Sequence, residues 1–153
     1  MPQIRKVKKL PFSAAQMFDL VADVPSYPQF LPWCAAGKLV KRDEKEIVGQ
    51  ITVEKGGMRK AFTTRNRFHY PAWMDIALVE GPFRHLSGRW EFREDAQGAG
   101  CTVHYQMRFE VMFLLAPILG GLMEYMANSM VDAFAKRAYA VYGAGESDGY
   151  DSR

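Results

Sequence analysis

The spacing of apolar and polar residues divides the chain into strand-like and helix-like stretches. Across residues 35–113 the two kinds alternate, with breaks at Asp43-Glu44-Lys45, Gly56-Gly57, Tyr70-Pro71, Gly81-Pro82 and Gln97-Gly98-Ala99-Gly100. Period-two alternation interrupted by such clusters predicts consecutive antiparallel strands joined by hairpins. The pattern is cleanest in the last two strands. Leu86, Gly88, Trp90 and Phe92 share one face, as do Cys101, Val103, Tyr105, Met107, Phe109, Val111 and Phe113. His85, Arg89, Glu91 and Arg93 lie opposite the first set, and Thr102, His104, Gln106, Arg108 and Glu110 opposite the second, so one side of the sheet is wet and the other covered. Residues 3–10, mostly polar and basic, read as a first strand near a sheet edge.

A helix start follows. Ser13 is placed as N-cap, Gln16 as its capping-box partner and Phe12 as a staple onto Met17, while Asp23 and Pro25 end the helix. Residues 25–34 then pack three prolines and the aromatics Tyr27, Phe30 and Trp33 into ten positions, which predicts one stiff helical turn and an extended exit. Either this segment walls a pocket or its rings plug the end of the core. Residues 111–143 read as a long closing helix. At helical period Leu119, Leu122, Met123, Met126, Met130, Ala133, Phe134 and Val141 form one stripe, with Glu124, Asn128, Asp132 and Tyr139 opposite. Pro117 suits its first turn, Lys136 and Arg137 its last, and Gly143 its cap.

One long and one short helix must cover six or seven strands. A sheet curved around the closing helix does this, and the space left between them becomes an apolar cavity unless bulky side chains fill it. The expected architecture is therefore α+β, with residues 1–143 as one domain and 144–153 as a disordered tail.

Composition changes this picture little. Hydrophobic residues are 48% and charged residues 24% of 153, an ordinary globular balance. The net charge is +3, and residues 1–143 hold 19 basic against 14 acidic side chains, or +5. That mild excess permits an anionic partner such as RNA or a lipid surface, and equally suits a solvated surface without one. Cys34 and Cys101 are far apart and show no metal spacing, which suggests reduced thiols in the cytoplasm. The basic start has no apolar core of a signal peptide and no transit signature. The longest apolar run, residues 111–123, is broken by Pro117 and Gly120-Gly121 and is too short to span a bilayer.

Several motifs carry a resemblance. They are Tyr27-Pro28-Gln29-Phe30-Leu31-Pro32-Trp33-Cys34, Thr64-Arg65-Asn66, the run from Gly81-Pro82-Phe83 through Leu86-Ser87-Gly88-Arg89-Trp90-Glu91-Phe92, Phe109-Glu110, and Arg137-Ala138-Tyr139-Ala140-Val141-Tyr142-Gly143. In these the chain resembles the START-like proteins of the coenzyme Q-binding and RatA type, related to polyketide cyclases. The resemblance implies a helix-grip, Bet v 1-like fold: strand, two short helices, six strands, long helix, and a lipid-accommodating cavity. It implies two functions. One is non-catalytic binding of ubiquinone or a similar isoprenoid lipid in support of respiration. The other is that of a toxin that binds the large (50S) ribosomal subunit, blocks subunit association and inhibits translation. A bacterial, cytoplasmic protein is expected, with peripheral contact at the inner membrane under the first function.

For lipid binding, the residues expected at the cavity are Phe30, Leu31, Trp33, Trp90, Phe92, Tyr105, Met107, Phe109, Leu119, Leu122, Met126 and Met130. Met107, Met112, Met123, Met126 and Met130 cluster between the last strand and the closing helix, where methionine serves either as ligand lining or as core filler. Residues 113–121 are expected to form a lid that bends at Gly120-Gly121 and meets the membrane. For the ribosomal function, Arg59, Arg65 and Arg67 share parity and are the expected RNA contacts, beside Arg89, Arg93 and Arg108; cross-strand pairing with Glu91 and Glu110 is the plain alternative. Catalysis finds little support. His69, His85 and His104 lie on different segments, Asp75 is a lone candidate for a buried acid, and neither a phosphate loop nor a metal site is read. Ubiquinone or a related lipid is thus the expected bound ligand, with no covalent cofactor, and DNA is not an expected partner.

Overall fold

The computed structural model describes residues 3–143. The expected tail, 144–153, lies outside them. The order is β1 (Gln3–Leu10), α1 (Ala14–Ala22), a 3-10 turn (Val24–Gln29), β2 (Cys34–Arg42), β3 (Glu46–Lys55), β4 (Met58–His69), β5 (Trp73–Glu80), β6 (Phe83–Glu94), β7 (Cys101–Val111), a short 3-10 turn (Phe113–Leu115) and α2 (Ala116–Tyr142). One curved antiparallel sheet runs β1-β7-β6-β5-β4-β3-β2, so β1 is an edge strand as its basic residues suggested.

Local chemistry places each boundary. Ser13 accepts the Gln16 amide N–H, and the Gln16 side chain accepts the Ser13 amide N–H, closing the predicted capping box. Gly56 and Gly57, with φ of 58° and 85°, turn β3 into β4 as a tight hairpin requires. Irregular registers in the β2–β3, β4–β5 and β6–β7 pairs let the sheet bend towards α2.

The inner face of the sheet packs on both helices. Phe18 of α1 meets Phe68, Tyr70 and Phe92 edge-on, and Phe134 of α2 meets Tyr27, Phe30 and Trp90. The proline-rich segment thus clamps the closing helix. Gly88 explains part of the Leu-x-Gly-x-Trp-x-Phe run: a Cβ there would stand 2.9 Å from the Met107 Cε and 2.8 Å from the Gln106 carbonyl oxygen.

Several expectations for the closing helix change. It begins at Ala116, after β7 has ended at Val111, so Phe113 belongs to a turn and is 81% exposed instead of facing inward. Its buried stripe includes Ala127, Val131, Ala135 and Ala138, while Val141 is exposed and Met130 and Ala133 are half-buried. The last turn holds no basic residue. Arg137 instead lies over the Phe30 ring at 5.0 Å and donates to Gln29 Oε1 at 2.9 Å. Gly143 does cap the helix, with φ of 90° and its N–H on the Tyr139 carbonyl. By length and composition residues 113–142 would suffice to cross a membrane, but here the inner stripe of α2 closes the core.

The expected bend at Gly120-Gly121 is absent as a break, since α2 runs through both residues. A Cβ at either position would meet nothing within 4 Å. Gly120→Ala and Gly121→Ala are therefore each expected to stabilise the protein by about 1 kcal/mol, the helical penalty of glycine. Thermal melts would show this as a rise in Tm of a few degrees per substitution.

Candidate ligand cavity and basic sheet face

A cavity lies between the sheet and α2. Residues from α1, the proline-rich turn, β3 to β7 and α2 line it, among them Tyr27, Thr64, Asn66, Met74, Trp90, Tyr105, Met107, Phe109, Met123, Met126, Met130 and Phe134. Six of the twelve residues expected at the cavity line it: Trp90, Tyr105, Met107, Phe109, Met126 and Met130. The other six do not. Leu31, Trp33, Phe92, Leu119 and Leu122 are buried in the core around it, and Phe30 is partly buried against that core. Of the methionine cluster Met112 is 46% exposed, while Met74 joins the lining. Residues 113–121 contribute nothing to the cavity; Phe113, Ala116, Gly120 and Gly121 border a separate outer groove with Arg84 and Glu124.

The cavity measures about 60 Å³, room for about two water molecules at roughly 30 Å³ each. An isoprenoid chain would need α2 or its neighbours to yield. Within this apolar space two polar atoms have no hydrogen-bond partner, the Tyr105 hydroxyl and Asn66 Oδ1. Asn66 Nδ2 faces Met74 Sδ at 3.7 Å, a weak contact. The Tyr27 hydroxyl, by contrast, donates to the Val21 carbonyl at 2.5 Å. A buried polar atom without a partner is costly, so these two form a natural polar hook for a ligand or water. The signal in the sequence for Asn66 is its parity with Phe62 and Thr64 on β4, both of them buried.

Burial also governs ionisation here. It pushes the Cys34 and Cys101 thiols from about 9 up to about 11, and raises the Tyr27 and Tyr105 hydroxyls above the ordinary tyrosine value. The folded state therefore holds these protons more tightly than the unfolded chain does. Their contribution is complete below the unfolded values and is lost as pH climbs through about 9 towards 11. The urea midpoint is expected to fall between about pH 8 and about pH 10.5.

On the outer face of the sheet, Arg59, Arg65 and Arg67 are exposed as expected, but each has a carboxylate. Arg65 and Arg67 converge on Glu46 at 3.4 and 4.0 Å, and Arg59 meets Glu54 at 3.6 Å. Asp75 is not a buried acid: it lies on the same face, paired with Arg89 at 3.2 Å. Arg89 and Arg93 both reach Glu91, but all three lie on β6, so these pairs run along one strand and the expected cross-strand pairing does not form; Glu110 makes no ion pair among the described residues. The three histidines stay apart from any cluster of metal ligands among the described residues.

The family described as polyketide cyclase / dehydrase and lipid transport matches residues 10–135. The chain belongs to this family. The chain is similar to the ribosome association toxin RatA of Pseudomonas aeruginosa, 39% identical over 92% of this chain and 97% of that protein. The mitochondrial coenzyme Q-binding protein COQ10 homolog B of Xenopus laevis is 31% identical over 91% of this chain and 59% of its own length. Among solved structures, the ZhuI aromatase/cyclase from Streptomyces superposes with a TM-score of 0.78 over 96% of this chain and 99% of its own, at 16% identity, and so shares the fold alone.

Proposed function

We propose that the protein is a ribosome-associating toxin of the RatA kind, a cytoplasmic, non-catalytic protein that binds the large subunit and opposes subunit joining. The observation that carries this reading is the match to RatA along nearly the full length of both chains. An outer sheet face rich in arginine suits an RNA-rich partner. Sucrose-gradient profiles after overexpression test it. Free subunits should accumulate at the expense of joined ribosomes, and an unchanged profile with abundant folded protein would remove the reading.

A second reading is favoured by one specific feature, the unpartnered Tyr105 hydroxyl and Asn66 Oδ1 in an apolar cavity. This suits a lipid whose polar head both accepts and donates hydrogen bonds, such as a ubiquinone-type molecule in its quinone and quinol forms. Under this reading the exposed Phe113 and Leu114 of the short turn and Ile118 in the first turn of α2 provide peripheral membrane contact during loading. Organic extraction of protein purified from its native host, followed by mass spectrometry, should return such a lipid; repeated recovery of none would end this reading.

A further inference from the structure

The outward positions of β1, β7 and β6 carry charge for which neither the cavity nor the core has any use. The register aligns them in transverse rows. Arg5 stands opposite Gln106, which stands opposite Arg89, and the row continues through Asp75 and Arg67 to Glu46. The next row runs Gln3, Arg108, Ser87, Ala77, Arg65. On the other side of the first come Val7, His104, Glu91 and Trp73, and beyond them Lys9, Thr102 and Arg93. Neighbouring strands lie about 4.8 Å apart, so Arg5 and Arg89 are separated by about 10 Å at the backbone, with a hydrogen-bonding glutamine between.

The two halves of this face differ in how their charge is compensated. On β3 and β4 every outward arginine touches a glutamate. On β1, β7 and β6 the outward cations are Arg5, Lys9, Arg89, Arg93 and Arg108; Lys9 is paired with Asp95, Arg89 with Asp75 and Glu91, and Arg93 with Glu91, which leaves two of the five without a carboxylate. Neither Arg5 nor Arg108 makes an ion pair among the described residues. Arg93 holds the Glu91 carboxyl below the usual carboxylate range, so that acid is already committed to its own neighbours. A shallow groove on this half is bordered by Arg5, Lys6, Arg89, Arg93, His104 and Gln106, with Glu91 as its one acid. At its margin the Arg89 guanidinium covers the Trp73 ring at 4.7 Å, and His69 stacks near the same ring.

We infer that this half of the sheet, with Arg5 and Arg108 as its contact points, grips the phosphate backbone of a structured RNA. The inference rests on the ribosome-association reading and names the surface that would serve it. Guanidinium groups bind phosphate oxygens through paired N–H donors. Gln106, Ser87, Thr102 and His104 between them add neutral hydrogen bonds to sugar or phosphate. A lipid surface fits less well, because membrane-binding faces mix cations with large apolar residues. Val7 is the sole exposed large apolar side chain on these three strands among the described residues; Phe113, Leu114 and Ile118 lie beyond the end of β7, in the short turn and the first turn of α2.

The test compares R5Q/R108Q, which leaves no carboxylate without its partner, with K55Q/K60Q, an equal loss of charge at the far end of β3 and β4. Binding of each to a labelled RNA hairpin is read by fluorescence anisotropy across a range of salt. R5Q/R108Q should weaken binding by on the order of tenfold and reduce the slope of log affinity against log salt by about two, while K55Q/K60Q changes little. Equal losses in both variants, no binding by the wild-type protein, or stronger binding to phosphatidylglycerol vesicles than to the hairpin would overturn the inference. Co-sedimentation with purified large subunits separates the two readings. If the wild-type protein fails to co-sediment but its hairpin binding still depends on Arg5 and Arg108, ribosome association falls and the RNA face stands. If R5Q/R108Q co-sediments as well as wild type, ribosome association stands and this face is not its site.

Discussion

Phe134→Ala is expected to destabilise the protein by about 3–5 kcal/mol, the range for deleting a fully buried aromatic ring. Phe134 is 1% exposed and is the point at which α2, the proline-rich segment and the sheet meet. Its ring contacts Tyr27 at 5.4 Å, Phe30 at 5.1 Å and Trp90 at 5.4 Å, all edge-to-face. Deleting it removes these contacts and enlarges a cavity that the same ring already borders. Collapse cannot readily fill the gap, because the neighbouring rings are held by two separate segments, the proline-rich turn and β6. Urea titration should show a much lower midpoint with an unchanged slope. Phe134→Leu, which keeps most of the volume, should recover the greater part of the loss. A cost below about 1 kcal/mol for the alanine variant would mean that α2 is not closed onto these rings in solution.

The same neighbourhood marks the boundary between what the residues foretold and what they did not. Turn chemistry located all five hairpins, and Ser13 with Gln16 located α1, because each depends on interactions within a few residues. The inward parity of β6 and β7 also followed from alternation alone. Which inward residues border empty space could not follow, because a void is defined by side chains that fail to meet across the core. Phe92 faces inward like Trp90, yet it packs on Phe18 of α1, and Leu119 and Leu122 are buried without reaching the cavity.

The closing helix shows a related limit. A straight helical wheel put Val141 on the buried stripe, whereas the structure continues that stripe through Val131, Ala135 and Ala138. Over 27 residues the face that meets a curved sheet drifts, and small alanines mark the close approach better than large residues do. Charge was harder still. Parity identified Arg65 and Arg67 as outward, but Glu46, the acid that receives both, lies one strand away, and nothing in β4 itself announces it. The less compensated cations turned out to be on β1 and β7, strands far apart in sequence and adjacent in the sheet.

Tyr105→Phe should separate the empty protein from the loaded one, and the sign of its effect is the informative quantity. The Tyr105 hydroxyl is buried, 3% exposed as a residue, and without a partner, while its ring packs against Trp90 at 4.6 Å between centroids. Removing the oxygen leaves that packing in place and relieves an unsatisfied polar atom, a cost of about 1–3 kcal/mol. In delipidated protein the variant should therefore be more stable than wild type by on the order of 1 kcal/mol. A ligand whose head accepts a hydrogen bond from Tyr105 reverses the comparison, because it stabilises wild type in proportion to its affinity and the variant less. Thermal melts with and without a short-chain ubiquinone would read both effects: a higher baseline Tm for Tyr105→Phe and a smaller upward shift on adding quinone. Loss of stability in delipidated Tyr105→Phe would show that the hydroxyl already has a partner in the cavity. Equal shifts in the two proteins would show that the quinone does not use it, and the polar hook would then reduce to Asn66.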